Sequence, residues 1–388
     1  MTKINTNIFW MGIVSFFTDM ASSLVMPLLP FFIVIILDQG VDKLGVVLAV
    51  TTIASYLLRF VGGIASDKLD SNKRFLIFGY GLSALAKPFL SVADGWGTVA
   101  AVQASERLGK AVRAAPKDKL ISMSAQQHNM GASLGIHKTI EKCGEVLGLI
   151  MVFGIIAYWG MSEDVFRAVF LASVIPGILS LMVLILFVKE MRGGKSKKKT
   201  RLALNVEPNI RWVIAGFIMI TFFSFNESFY LLLGNDFGFD IKTILLLLIA
   251  VKGLQMLISN KIGRFIDRQS IRIQMTVGYL LGVMLMLLLC TSSLTAYVIS
   301  FLLFGLQEVI MLIGIRSYIG KFAADKGAAF GFLYLAIAIF SALSAYVTGA
   351  IWQYQSAQSA IMVNTIGVVL SGLLLLSFQR KRDQFKEH

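Results

Sequence analysis

The sequence predicts an all-α membrane protein of twelve transmembrane helices in two six-helix bundles, with both termini in the cytoplasm. Three observations predict it. Of 388 residues, 56% are hydrophobic and only 15% charged, where a soluble domain carries about 25% charged residues, and the mean hydropathy is +0.76. Apolar runs long enough to cross a bilayer recur at 8–37, 44–65, 75–93, 97–115, 131–157 and 165–188, then at 211–234, 241–260, 273–290, 296–316, 327–352 and 359–378. Basic residues crowd every second gap between those runs, as cytoplasmic loops do.

The first run, Ile8 to Leu37, is too long for the core of a secretory leader and has no small-residue cleavage site, so it reads as the first span. The basic gaps hold Lys68, Lys73 and Arg74, then Lys117 and Lys119, then Lys261, Arg264, Arg268 and Arg272, then Lys321 and Lys326. The gaps between them hold only Lys43, Arg167 and Lys242. The longest gap contains Gly193-Gly194-Lys195-Ser196-Lys197-Lys198-Lys199, which reads as a flexible basic linker over 191–210. It separates an N-terminal bundle, 1–190, from a C-terminal bundle, 211–388. The net charge of +14 is thereby a solvated rim attracted to anionic lipid, not a nucleic-acid surface. Cys143 and Cys290 fall inside apolar runs and read as packing residues, and no Cys/His cluster offers a metal site.

The halves repeat each other. Gly63-Ile64-Ala65-Ser66-Asp67-Lys68 recurs as Gly263-Arg264-Phe265-Ile266-Asp267-Arg268, each placed just after the second span of its half. Met130-Gly131-Ala132-Ser133-Leu134-Gly135 recurs as Lys326-Gly327-Ala328-Ala329-Phe330-Gly331, opening the fifth span. Asp19, within the first span, finds a counterpart in Glu227. Parallel copies of a six-helix unit around a midplane site are a transporter architecture.

Charge inside apolar sequence is concentrated between Glu106 and Glu145. Residues at i, i+4 and i+7 share a helix face, so Glu106, Lys110 and Arg113 form one stripe. After a short turn at Pro116-Lys117-Asp118, His137, Glu141 and Glu145 form another, with Lys138 and Lys142 beside it. Each unpaired charge at mid-depth costs roughly 2.5–3.5 kcal/mol or more, so such residues face partners or a wet cavity. Asp19, Glu141, Glu145, His137 and Glu227 are candidates for carrying a proton, a carboxylate in that setting being expensive unless paired or protonated. Structural pairing is the alternative for Asp19, and neutralisation by Lys138, Lys142 and the Glu106 stripe the alternative for Glu141 and Glu145. Glu106, Arg107, Lys110 and Arg113, with Glu308 and Arg316 in the second half, are candidates for substrate contact, since a guanidinium binds carboxylate or phosphate through a bidentate fork; pairing of Lys110 and Arg113 with Glu106 or Glu141, which would leave no free cation, is the alternative. The second half, rich in Phe, Met and Leu, reads as more of the apolar cavity wall.

On these motifs the chain resembles the major facilitator superfamily. That family's signature between spans two and three reads Gly-x-x-x-Asp-Arg/Lys, then Gly and two basic residues. Gly63, Asp67 and Lys68 match, with Lys73-Arg74 as the basic pair; Gly263, Asp267 and Arg268 match in the second copy, Asp70 and Ser270 standing where the second Gly would be. The resemblance implies gating roles for Gly63, Asp67, Lys68, Arg74, Gly263, Asp267 and Arg268, the Gly allowing close helix approach. The fourth span is similar to a bacterial subgroup carrying Arg-x-Gly-Lys-Gly-x-Arg-x-x-Pro-Arg-Asp: Arg107, Gly109, Lys110, Arg113, Pro116 and Asp118 match. Of the exporters' Gly-x-x-x-Gly-Pro motif, Gly144 and Gly148 are present, with Leu149 at the Pro position.

The expectation is a monomeric secondary active transporter in a bacterial inner membrane. It would use the proton gradient and no cofactor, and move a small polar organic solute, a metabolite or siderophore-like metal chelate, with the lipid bilayer as its other partner. Proton-driven efflux of amphipathic toxic compounds is the runner-up, and a receptor or scaffold without transport is the reading from another class. No Ser-His-Asp arrangement, metal-ligand spacing or Walker-type glycine loop supports an enzyme or an ATP-driven pump.

Overall fold

The structure, a computed structural model, describes residues 6–66, 72–124, 130–190, 206–323 and 326–384. Asp67 and Lys68, and most of the basic linker, lie outside them. Every regular element among the described residues is helical, and nine helices are long and apolar enough to cross a membrane.

In chain order the helices, those over 41–66, 96–124 and 130–159 not being among the nine, are α1 (Thr6–Ile36), broken at Met26–Leu28 and ending in a π turn, α2 (Val41–Ser66), and α3 (Asn72–Ala86), continued as a 3₁₀ turn over Lys87–Val92. Next come α4 (Trp96–Ser124), α5 (Met130–Trp159) and α6 (Glu163–Phe187). The second half holds α7 (Pro208–Asp236), α8 (Ile241–Arg268), α9 (Ile271–Cys290), α10 (Leu294–Phe322), α11 (Lys326–Tyr354) and α12 (Ala357–Gln384). Helix starts carry short polar caps: Ser162 accepts from the Val165 amide, Asp240 from Thr243 and Ser270 from Ile273. Bonds from Thr243 hold the Asp240 carboxyl below the usual carboxylate range. Gly160 and Gly238 take the left-handed φ, +80° and +89°, just after α5 and α7.

Contacts divide the chain into two compact units, Met1–Gln39 with Val50–Arg201, and Gly40–Ala49 with Leu202–His388. Within the first, α1 packs on α5 and α6, and α3 on α4 and α6. Within the second, α7 packs on α11 and α12, and α9 on α10 and α12, so the same pairings recur.

Glycines set the closest crossings of the first unit. A Cβ on Gly144 would fall on the Phe16 carbonyl, and one on Gly148 would lie 2.6 Å from the Met20 carbonyl oxygen, so α5 presses backbone to backbone against α1. Gly79 and Gly109 do the same for α3 and α4, each built Cβ lying 2.7 and 2.6 Å from the other's carbonyl oxygen. At one end of the unit Ile8, Met11, Leu76, Tyr80, Leu120, Ile121 and Leu184 form a buried core. Lys73 donates to the Ile185 and Val188 carbonyls at 2.8 and 2.7 Å, taking up acceptors that the end of α6 leaves free.

Three expectations are corrected. No turn interrupts the chain at Pro116–Asp118: α4 runs to Ser124 with Pro116 inside it. A proline costs an isolated helix about 3 kcal/mol, but the following turn is anchored, with Leu120 and Ile121 in the core and the Ser124 hydroxyl accepting from Asn7 at 3.1 Å. Gly263, Asp267 and Arg268 lie inside α8 rather than after it, and nothing lies within 4 Å of a Cβ built on Gly263, so that glycine makes no close approach among the described residues. Ser270, at the position of the missing Gly, caps α9. Cys143 is exposed on α5 and not a packing residue; both cysteines are free thiols.

Candidate functional site

The candidate site lies in the first unit, on the face of α4 that carries Gln103, Glu106, Arg107, Lys110 and Arg113. The Gly79–Gly109 crossing brings Tyr80, Ser83 and Lys87 of α3 against it. Glu106 is only 2% exposed, and around it stand Lys110 at 3.0 Å, Lys87 at 3.6 Å and Arg107 at 3.6 Å. The Ser83 hydroxyl donates to the Glu106 carbonyl at 3.2 Å, tying the helices at that level.

Arg113 is 6% exposed, and its guanidinium lies over the Tyr80 ring, 4.0 Å from the centroid. No carboxylate lies within 4 Å of it among the described residues, and Nη1 is buried without a hydrogen-bond partner. Gln103 Oε1, both Glu106 oxygens and Arg107 Nε are likewise buried and unbonded, so Glu106 is held by charge and not by aligned hydrogen bonds. Asp19, on α1, is partly buried and within electrostatic reach of Lys110, Arg113, Lys117 and Glu141, yet makes no hydrogen bond or ion pair among the described residues. Four cations, Lys87, Arg107, Lys110 and Arg113, thus share a region with two carboxylates, Glu106 and Asp19. The excess is positive, and one planar donor is left open.

A second group adjoins it where α1 crosses α5. His137, 4% exposed, meets Ser15 through Nε2 at 3.2 Å, and its Nδ1 lies 3.9 Å from Glu141. Glu141 also receives Lys117 at 3.3 Å and Lys138, while Glu145 pairs with Lys142. Each of these two carboxylates thus has a lysine three positions before it, while Lys110 stays with Glu106 and reaches neither.

The second-half candidates are dispersed. Glu227 opens the helical segment after a break in α7 and pairs with Lys252 on α8; unlike Asp19 it has its own cation, so the two acids are not equivalent. Glu308 accepts from Gln255 at 2.9 Å, and Arg316 is exposed on α10. Arg74 is exposed at the start of α3, Gly63 lies within α2, and the Asp267 side chain is outside the described residues. Sequence reasoning missed Lys87, Tyr80, Gln103 and the inward placement of Lys117. Lys87 carried a signal, as the single charge deep in the apolar run 75–93; Tyr80 and Gln103 carried none. The second unit contains an apolar cavity of about 600 Å³ between α7 and α11.

The Major Facilitator Superfamily model matches residues 11–345. An uncharacterized MFS-type transporter of Methanocaldococcus jannaschii is 26% identical over 392 residues, covering 96% of this chain and 95% of that one. An uncharacterized protein of Mycobacterium tuberculosis is 24% identical over 347 residues, with 86% and 83% coverage. Among solved structures, a POT family transporter in complex with 5-aminolevulinic acid superposes with a TM-score of 0.81 at 13% identity, covering 96% of both chains. A mutant of the nucleoside transporter NupG gives 0.79 at 13%, covering 95% of this chain and 99% of that one. Those two likenesses speak to fold alone. By the family model and the all-helical architecture, this chain belongs to the Major Facilitator Superfamily and is a multi-pass membrane transporter.

Proposed function

We propose that the chain is a proton-coupled secondary transporter of alternating-access type, with twelve spans in two six-helix bundles and both termini in the cytoplasm of a bacterial cell. Its cargo is a small polar organic solute with an acidic or metal-chelating group. The observation that carries this reading is Arg113, a buried guanidinium stacked on Tyr80, without a carboxylate partner, in a region where cations outnumber carboxylates. A carboxylate, phosphate or hydroxamate would supply the missing acceptor, and the planar fork favours a bidentate acid over a single oxygen. Asp19 supports the coupling: it is the carboxylate of the region with no ion pair among the described residues, so it can exchange a proton without first breaking a salt bridge. In the proposed cycle the acid binds at Arg113, and Asp19 takes or releases a proton as the site changes sides.

Proton-driven efflux of amphipathic compounds is the second reading, favoured by the apolar cavity of the second unit. Thermal stabilisation of the purified protein separates the two. Small organic acids and iron chelates should raise the melting temperature of wild type and leave Arg113→Gln unshifted. Stabilisation by lipophilic cations alone, equal in both proteins, would favour efflux and remove Arg113 from the site.

A further inference from the structure

We infer that the groove between α7 and α11 holds one acyl chain of an anionic phospholipid, with the lipid phosphate at Arg211. The α7 wall presents Ala215, Met219 and Phe222 and the α11 wall Phe332, Ala336 and Phe340, each at steps of three or four residues, so two helical stripes face one space of about 600 Å³. That volume falls among ligand sites of about 300–1,000 Å³. At the far end the Ser344 hydroxyl donates to the Phe222 carbonyl at 2.5 Å, joining the two walls where α7 breaks. At the near end the lining changes character. Arg211 stands in the first turn of α7, exposed, its Nε donating to the Val206 carbonyl at 2.6 Å, and no carboxylate lies within 4 Å of it among the described residues.

Length and charge select the occupant. From Arg211 to Phe223 the groove spans about 18 Å at roughly 1.5 Å per residue, against about 15 Å for half of a roughly 30 Å hydrocarbon core. The channel therefore runs one leaflet deep, with a cation at its interfacial end. The chain just before it carries Lys195, Lys197, Lys198, Lys199 and Arg201, and a polybasic segment beside a span draws anionic headgroups, each cation worth about 1 kcal/mol. A zwitterionic lipid would fill the groove equally well but gain less from this charge. The leaflet assignment rests on the proposed orientation; the binding does not.

Native mass spectrometry of the delipidated full chain, titrated with phosphatidylglycerol and phosphatidylcholine of identical chains, tests this. Wild type should retain phosphatidylglycerol about tenfold more tightly than phosphatidylcholine, Arg211→Gln should retain them equally, and Ala215→Trp, at an exposed wall position, should lose both at least tenfold while its melting temperature holds. Equal retention of both lipids by wild type would overturn the proposal, as would unchanged retention in Ala215→Trp. Displacement of the lipid by the acids that stabilise wild type would overturn it too, by making the groove a cargo site. Lipid retention is read without transport, so failure of the transport reading leaves this result standing.

Discussion

Arg113 and Glu106 sit two helical turns apart on α4 and have opposite needs. Glu106 is surrounded by three cations at 3.0 to 3.6 Å, so Glu106→Gln leaves buried cations without their anion, a loss of about 3–5 kcal/mol where a buried pair is broken from one side. Lys87→Met removes one of three cations and leaves Lys110 in place. Thermal inactivation in detergent should therefore show Glu106→Gln far less stable than wild type and Lys87→Met much closer to it; the reverse order would mean that Lys87 is the principal partner. Arg113 depends on the Tyr80 face, a contact worth about 0.5–2 kcal/mol. Tyr80→Phe should preserve acid binding, while Tyr80→Leu should weaken it roughly 2- to 30-fold in a melting-temperature titration. Equal effects of the two substitutions would show that the hydroxyl, and not the ring, positions the guanidinium.

At the scale of helices, the glycines of this chain divide by what lies opposite them. Gly144 meets the Phe16 backbone, whereas a Cβ on Gly263 meets nothing within 4 Å among the described residues. Gly144→Ala must push α1 from α5 and should cost about 1–3 kcal/mol or more. Gly263→Ala should stabilise α8 by about 0.5–1 kcal/mol, because alanine is the better helix former. Melting temperatures of the two variants check both signs. Both glycines stood in recognisable motifs, and the sequence assigned close approach to Gly263 by resemblance. Only the position of the neighbouring helix distinguishes them. Pro116 teaches the same: proline read alone predicts a turn, but Leu120 and Ile121 buried beyond it hold the helix. Hydropathy marked the helices because it is a property of one segment at a time, while crossings and partners belong to pairs of segments.

For the whole molecule, the apolar periodicity and the paired motifs were enough to read an all-helical membrane protein with an internal repeat, and the recurrence of helix pairings in both units is the repeat in three dimensions. The site was half legible. Glu106, Lys110 and Arg113 share a face of α4 by spacing alone, whereas Lys87 and Tyr80 reach them from α3, and Lys117, which the charge pattern assigned to a solvated gap, turns inward to Glu141. In the proposed cycle an acid bound at Arg113 moves together with a proton carried by Asp19. The most direct test of that coupling is the purified protein in liposomes enclosing a pH-sensitive dye, with acidic metabolites, iron chelates and lipophilic cations added in turn. A small acid or chelate should give a dye signal that is abolished in Asp19→Asn, with binding of that acid retained. The same signal in Asp19→Asn, or uptake of the acid by wild type without any dye response, would contradict it.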